Sequence, residues 1–366
     1  MYALKTLVDQ KFRFIITALG VALCVILVHF LLGIYKGVAD GSLAYVRSST
    51  ADLWVLQKHT NNILRSTSMI RTSRIGDIEA IPGVATVSPQ VLIMGSIEVS
   101  KRPQTAYLIG YDAETGMGGP PSIVQGRLLR SDDEIILDRS FAAKYKVKLG
   151  DTVQIKKHSL KVVGLSDGTN VFVIQYAFVT LNRAFRVINF GGVVSCLQVK
   201  LTAGTSVQQV KRAIEREVSD IVVFDRATFL ENNREEMNSG ILPLLFVIAL
   251  LGTVVLTAIL SLILSINVLE RRKDFAVMKA LGAPRGFVSG MVVIQSLALS
   301  FSGLLIGLLL FFPLMGLVEK IVPEVSVHTS VQYVLWIVMG VALIGLISSL
   351  YPISKIKHIY PMEVFQ

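Results

Sequence analysis

The chain has 366 residues, of which 52% are apolar and only 17% charged, with a formal net charge of +10 and a mean hydropathy of +0.60. Soluble domains carry about 25% charged residues, so this balance excludes both a disordered chain and a wholly water-soluble one. Only two cysteines occur, Cys24 in an apolar run and Cys196 in a mixed region, which excludes a disulfide-stapled scaffold. No dense Lys/Arg block or aromatic-basic interleaving is present, which excludes a nucleic-acid groove.

Residues 1–13 are a short head with Lys5, Lys11 and Arg13 against Asp9. Residues 14–35 carry no formal charge, and His29 lies among them. As a helix they reach about 33 Å, the hydrocarbon thickness of a bilayer. A signal peptide is the rival reading. The run exceeds an ordinary h-region and no A-x-A-like site follows, so a retained first membrane helix is predicted.

Residues 36–240 hold 25 basic and 20 acidic side chains and read as a large mixed α/β domain. Strands are predicted at 52–57 (DLWVLQ), 84–99 and 105–110. Between the first two, Thr72 or Ser73 caps a short helix through Glu79, stopped by Pro82-Gly83. A Gly/Pro-rich loop occupies 116–121. A strand at 134–137 leads to Asp138, which caps the helix RSFAAKYKV, and strands at 152–156 and 160–164 flank a polar turn. A half-buried strand at 195–201, an amphipathic helix at 206–218 and a strand at 221–224 follow. Residues 226–238 are helix-compatible and lead directly into the second crossing.

No chemistry stands out in this domain. His59 and His158 are far apart, and no H-E-x-x-H, C-x-x-C or suitably placed G-x-S-x-G occurs. The run Asp132-Asp133-Glu134 is predicted to be a solvated loop, since consecutive side chains rarely face one cavity. Neither a catalytic residue nor a metal site is assigned.

Three further uncharged runs follow, at 237–269, 286–318 and 325–354. They give membrane helices at 241–269, 286–318 and 331–354, with a short outer loop at 319–330. Pro313 is expected to kink or end the third, and the fourth run ends at Pro352. The loop 270–285 has five basic residues against two acidic, and the tail 355–366 has Lys355 and Lys357 against Glu363. The positive-inside bias places head, loop and tail in the cytoplasm and the large domain outside. The fold class is therefore an α-helical membrane protein of four transmembrane helices, with a large mixed α/β extracytoplasmic domain between helices one and two.

Within the membrane, Gly303 and Gly307 form a G-x-x-x-G face with Ser300 and Ser302 nearby, and Gly340 and Gly345 offer a looser one. Packing of spans three and four on each other is the preferred reading, with permease dimerisation second. His29 is read as an interior polar residue with a Ser, Thr or backbone partner. The alternative is contact with lipid, haem or another substrate at a dimer cleft. Tyr35 and Trp336 suit interfacial anchoring.

The segment 270–285, ERRKDFAVMKALGAPR, carries an apolar series at Phe275, Ala276, Met278, Leu281 and Ala283 among its charges. Their spacing puts Phe275, Met278 and Leu281 roughly on one side of a short helix, ended by Gly282 and Pro284. Such a helix suits either the lipid interface or a groove on a partner protein.

The chain resembles the FtsX-like/MacB-like family of ABC transporter permeases over its whole length. ERRKDFAVMKALGAPRGFV matches the family pattern E-R-[RK]-x-[ED]-[IF]-x-[VT]-x-[RK]-A-[LI]-G-A, and YPISKIKHIYPMEVFQ matches a second pattern of spaced prolines followed by a glutamate. ADLWV, IPGV and LGDTV sit where relatives have them. Phe275 stands where Ile is frequent and Lys279 where Arg is, both conservative departures.

The resemblance implies that Glu270, Arg271, Arg272, Phe275, Met278, Lys279, Leu281, Gly282 and Ala283 contact a separate ABC ATPase present in two copies. That subunit would bind ATP and Mg, since this chain has no G-x-x-x-x-G-K-[ST] and needs no cofactor of its own. It further implies a second permease copy or homologous permease, a periplasmic adaptor, and residence in the bacterial cytoplasmic (inner) membrane with both termini inside. The implied function is ATP-driven export or extraction of an amphiphilic substrate (lipid, lipoprotein, glycolipid or drug-like). The alternative is FtsX-like mechanotransmission that regulates a cell-wall enzyme without moving cargo.

Overall fold

The computed structural model describes residues 11–171, 174–189, 191–240, 242–284, 286–323 and 331–357. The chain divides into two compact units, one of long apolar helices and one containing Gly37–Leu242. The helix α1 (Lys11–Ser48) is a single element of 38 residues, so it continues well past the uncharged segment read from the sequence.

In the α/β unit, thirteen strands are described: β1 (Leu53–Gln57), β2 (Ile70–Arg71), β3 (Val84–Val99), β4 (Arg102–Tyr111), β5 (Ser122–Gly126), β6 (Glu134–Asp138), β7 (Thr152–Ile155), β8 (His158–Asp167), β9 (Asn170–Val171), β10 (Ile174–Thr180), β11 (Val193–Val194), β12 (Cys196–Leu201) and β13 (Ile221–Asp225). The main path runs β13-β1-β12-β3-β4-β10-β6-β8-β5, with β2 and β11 forming a separate small pair. The sixteen-residue β3 joins its two halves: Val84–Gln90 pair with β12, and Val91–Val99 with β4. Most pairings are antiparallel, but β10 lies parallel to β4 and β6 parallel to β8.

Helices α2 (Arg74–Glu79), α3 (Arg139–Tyr145), α4 (Leu181–Ile188), α5 (Val207–Glu217) and α6 (Arg226–Ser239) complete this unit. The two-residue strand period sorts its core. Leu53, Val55, Ile135, Leu137, Ala177 and Val179 pack with α2 to α5 in one cluster. Their neighbours Trp54, Leu56, Ile136, Tyr176 and Phe178 point the other way, into a cluster with Tyr45 of α1 and Phe229 of α6. Both faces of these strands are covered, which is why DLWVLQ, EIILD and QYAFVT read as continuous apolar runs without alternation.

Caps follow the local chemistry. Asp138 accepts from Ser140 N at 2.7 Å at the start of α3, and Thr180 accepts from Arg183 N at 3.2 Å at the start of α4. Each such cap is worth about 1 kcal/mol. Ser73, by contrast, makes no side-chain cap for α2. The helix α6 does not run on into the membrane segment as expected. It ends at Gly240, whose backbone (φ −90°, ψ −118°) leaves helical space.

The second unit contains α7 (Leu242–Glu270), α8 (Arg272–Ala280), α9 (Phe287–Ile321) and α10 (Val331–Lys357) together with the first part of α1. Among the described residues, four segments are long and apolar enough to cross a membrane: Phe14–Val38, Pro243–Glu270, Phe287–Ile321 and Val331–Lys355. This is a multi-pass membrane protein. On α7, Ala249, Leu256, Leu260, Leu264 and Val268 are buried, spacings of seven and four that draw one stripe along the helix. The leucines among them meet Val21 and Val25 of α1, Leu299 and Leu304 of α9, and Ile337 and Val341 of α10.

Neither proline terminates its helix. The helix α9 passes through Pro313 to Ile321, and α10 passes through Pro352 to Lys357. Apolar surroundings favour keeping every remaining backbone bond, so a proline is tolerated inside a membrane helix. Hydroxyls are satisfied in the same economy: Thr253, Thr257, Ser265 and Ser302 each donate to the carbonyl four residues back at 2.7–2.9 Å.

The G-x-x-x-G expectation also changes partner. A methyl group at Gly303 would lie 2.9 Å from the Ala18 carbonyl oxygen, and one at Gly307 would lie 3.0 Å from that of Ala22. This face of span three therefore seats α1, not span four. The contact between spans three and four runs elsewhere, through Ser296 Oγ, which donates to the Gly345 carbonyl at 2.6 Å and lies 3.0 Å from Ser348 Oγ.

Candidate functional site

The helix α8 folds against the ends of the long helices. Phe275 (3% exposed) and Ala276 are buried with Val268 of α7 and Val288, Met291 and Val292 of α9, and Met278 and Ile353 are packed beside them. At 100° per residue, Lys273, Asp274, Val277 and Leu281 fall on the opposite face. Val277 is 40% exposed and Leu281 83%. The expectation that Phe275, Met278 and Leu281 share one docking side is thus corrected: Phe275 holds the helix to the bundle, while Leu281 projects away from it.

The helix is closed by a left-handed glycine. Gly282 has φ +88°, Leu281 N donates to the Val277 carbonyl at 2.9 Å, and Ala283 N donates to that of Met278 at 3.0 Å. The second bond is the six-to-one closure of a Schellman turn, which any β-carbon at Gly282 would strain. Pro284 follows, where the chain cannot continue the helix, and its carbonyl accepts from Phe287 N at 2.9 Å to start α9. Glu270, Arg271 and Arg272 lie at the junction of α7 and α8. Lys279 is on α8, but its side chain lies outside the described set, as do residues 358–366 of the second motif.

Among the remaining candidates, His29 faces the bundle interior. It is 1% exposed and its ring stacks on Phe311 at 3.8 Å and 8°. Neither ring nitrogen has a hydrogen-bond partner among the described residues, so the partner expected from a Ser, Thr or backbone group is not found. An unpaired buried polar group costs about 1–3 kcal/mol. His29→Leu is therefore expected to raise the thermal unfolding temperature in lipid nanodiscs, and a fall would show that the imidazole makes a stabilising contact. His29 does not line the apolar cavity of about 630 Å³ between α1, α7 and α10, whose walls include Val28, Leu32, Thr257, Ser261, Trp336 and Ile344.

The acidic run of the α/β unit is tied down by cations. Glu134 receives two bonds from Arg127, at 2.9 and 2.5 Å, and a third from Arg130 N at 2.7 Å. Asp133 pairs with the buried Arg183, and Asp132 with Arg186 at 3.5 Å and Thr180 at 2.5 Å. Among the described residues no three His, Cys, Asp or Glu side chains group to hold a metal. The Arg127 guanidinium holds the Glu134 carboxyl down at about 2, against its ordinary 4.5. A depressed carboxylate contributes stability that is complete above its unfolded value and is lost as pH falls through the folded one. Between pH 4.5 and 2 the 127–134 loop should therefore gain hydrogen exchange, and Glu134→Gln should remove that pH dependence.

This architecture, four long apolar helices with a large mixed α/β domain between the first two and a short charged helix after the second, suits the permease class of ABC transporters. The FtsX-like permease C-terminal family matches residues 246–361, and the MacB-like periplasmic core domain matches residues 14–217. The chain belongs to this FtsX-like/MacB-like permease family, whose members are non-catalytic transmembrane subunits.

Similar proteins span the same length. An uncharacterized ABC transporter permease of Mycobacterium tuberculosis is 22% identical over 99% of this chain and 98% of its own. A protein described as a hemin transport system permease, HrtB of Staphylococcus haemolyticus, is 20% identical over 99% of this chain and 97% of its own. Among solved structures, the periplasmic region of MacB from Actinobacillus actinomycetemcomitans covers 51% of this chain and 94% of that one, at 17% identity and a TM-score of 0.41. The extracellular domain of YknZ, from Gram-positive bacteria, covers 47% and 99%, at 12% identity and a TM-score of 0.38.

Val277 was not among the residues singled out from sequence. Its signal was its spacing of four from Leu281, which places both on one face.

Proposed function

We propose that this chain is the permease of an ATP-driven exporter or extractor in the bacterial cytoplasmic (inner) membrane, with both termini inside, and that α8 is its handle for a separate ABC ATPase. The observation that carries this reading is the two-faced helix: Phe275 and Ala276 root it in the bundle while Val277 and Leu281 remain exposed. A helix fixed on one side, with two exposed apolar side chains among charges on the other, suits a groove on a partner. Two ATPase copies would serve two permeases, either two copies of this chain or this one with a homologue. ATP and Mg would be held by the ATPase, because the chain itself lacks the phosphate-cradling loop.

In this mechanism closure of the ATPase pair displaces α8, and the packed bundle carries the displacement to α1 and α7. The cargo proposed is amphiphilic, handed to a periplasmic adaptor. The hemin permease description of one relative and the apolar cavity beside α1 support that class. Purification with a candidate ABC ATPase, followed by ATP hydrolysis in nanodiscs and cargo transfer, tests the reading. Hydrolysis stimulated by a cell-wall enzyme regulator, with no cargo moved, would favour mechanotransmission instead.

Orientation has its own test. Lys157→Cys should react with a membrane-impermeant maleimide in cells with a permeabilised outer membrane, and Asp274→Cys should not; the reverse pattern overturns the topology. Background from Cys196 is expected to be low, since it is buried and burial pushes its thiol well up from the ordinary range.

A further inference from the structure

The apolar cavity of about 630 Å³ in the helical unit is a groove of defined length. Its walls run from Cys24 to Leu32 on α1 and from Trp336 to Ser348 on α10. At 1.5 Å per residue these stretches measure about 12 and 18 Å. One leaflet of a hydrocarbon core about 30 Å thick measures about 15 Å. The groove is therefore as long as one leaflet is deep, half of what a membrane-spanning partner helix needs. Its α7 wall includes Thr253 and Thr257, whose hydroxyls donate to the carbonyls of Ala249 and Thr253 at 2.9 and 2.8 Å. With those protons already used, that wall suits hydrocarbon better than a polar group.

One end of the groove carries a cation. The stripe Cys24, Val28 and Leu32 on α1 continues one turn on to Lys36, and on α10 Trp336 and Ile337 lead one turn back to Tyr333. There Lys36 Nζ lies over the Tyr333 ring, 5.4 Å from its centroid. Each residue stands two positions inside the end of its span, Phe14–Val38 or Val331–Lys355, at the level of lipid headgroups. A lysine that snorkels at an interface is ordinary. This one is half-buried, is held over a ring directly beyond a leaflet-deep groove, and has no carboxylate partner among the described residues. The ring occupies one side of the ammonium, which has three donors in all.

We infer that this groove seats one acyl chain of an anionic phospholipid, whose phosphate is held by Lys36 at the groove's end. Length and lining select the chain, and the free ammonium at headgroup level selects the charge. Trp336, a wall of the groove that is largely exposed, leaves the side through which a lipid enters from the bilayer. The inference deepens the amphiphile reading of the same cavity, but it requires neither the ATPase nor transport.

The test uses the full chain without an ATPase, in phosphatidylcholine nanodiscs that carry a small fraction of brominated lipid. Trp336 fluorescence reads a brominated chain seated beside it. Brominated phosphatidylglycerol is expected to reach half-maximal quenching at about a fivefold lower fraction than brominated phosphatidylcholine, the effect of one lysine beside an anionic headgroup. Lys36→Gln should erase that preference. Gly340→Leu should erase it too, because it fills the groove from a position with nothing within 4 Å of its place for a side chain. Equal quenching by the two lipids in the parent, or a preference kept by either variant, overturns the site. Two copies per disc that shield Trp336 from both lipids would assign the groove to a second copy of this chain and equally overturn it. No ATP is involved, so failure here leaves export to be judged by cargo transfer, and failed export leaves lipid binding standing.

Discussion

Leu281→Asp is expected to leave the permease folded and to weaken its association with the ATPase by about 2 kcal/mol or more, roughly 30-fold. The side chain is 83% exposed, so a carboxylate there meets water in the free chain and loses it only on docking. Phe275→Asp should do something different. It puts a charge into a site shared by α7, α8 and α9, and the lost packing and buried charge together should cost about 3 kcal/mol or more of stability. Thermal unfolding in nanodiscs and co-purification with the ATPase separate the two effects. Leu281→Asp chains that bind and stimulate the ATPase like the parent would remove the handle from the proposed mechanism. Destabilisation by Leu281→Asp would contradict its exposed placement.

The second large effect lies in span three. Gly303→Leu and Gly307→Leu drive side chains into the backbone of α1, where even a methyl would lie 2.9–3.0 Å from a carbonyl oxygen. Overpacking costs typically about 1–3 kcal/mol, and here the new side chain meets Val21 or Val25 of α1 as well as a carbonyl oxygen of its backbone. Each substitution should therefore cost at least that, and the pair should prevent recovery of a folded bundle. Gly316, on the same helix, has nothing within 4 Å of its place for a side chain, so Gly316→Leu should stay within about 0.5 kcal/mol of the parent. Equal tolerance at all three positions, measured by denaturant titration in mixed micelles, would show that α1 does not seat on this face.

Much of this arrangement was legible before any coordinates. The crossings declare themselves because a long uncharged run has few other uses, and 84–99 was a strand because its β-branched residues run between clear turn signals. The pair β10 and α4 was not assigned. QYAFVT lacks alternation, being buried on both faces, and the helix after it is short and interrupted by Arg183, whose burial depends on Asp133 far away in sequence. The partner of the Gly303 face was equally hidden: a G-x-x-x-G pattern says that a backbone comes close, not whose.

The coupling segment shows the same limit at finer scale. Spacing located an apolar series on a helix, and the left-handed closure at Gly282 was readable from Gly followed by Pro. Which apolar residues turn inward depends on the ends of α7 and α9, so Phe275 and Leu281 looked alike in sequence and have opposite environments. His29 is buried, and its stacking on Phe311 involves a residue nearly three hundred positions on, beyond local pattern.

The chain's two tryptophans fall one in each unit. Trp54 is fully buried in the α/β unit, stacked on Phe229 at 4.6 Å, whereas Trp336 is 59% exposed on the apolar surface of α10. The molecule thus carries two native optical reporters with separate quenchers. Brominated acyl chains should dim Trp336 and spare Trp54, and loss of the large sheet should red-shift Trp54 emission alone. Without any attached dye, melting of the water-facing half can be timed independently of events in the bilayer.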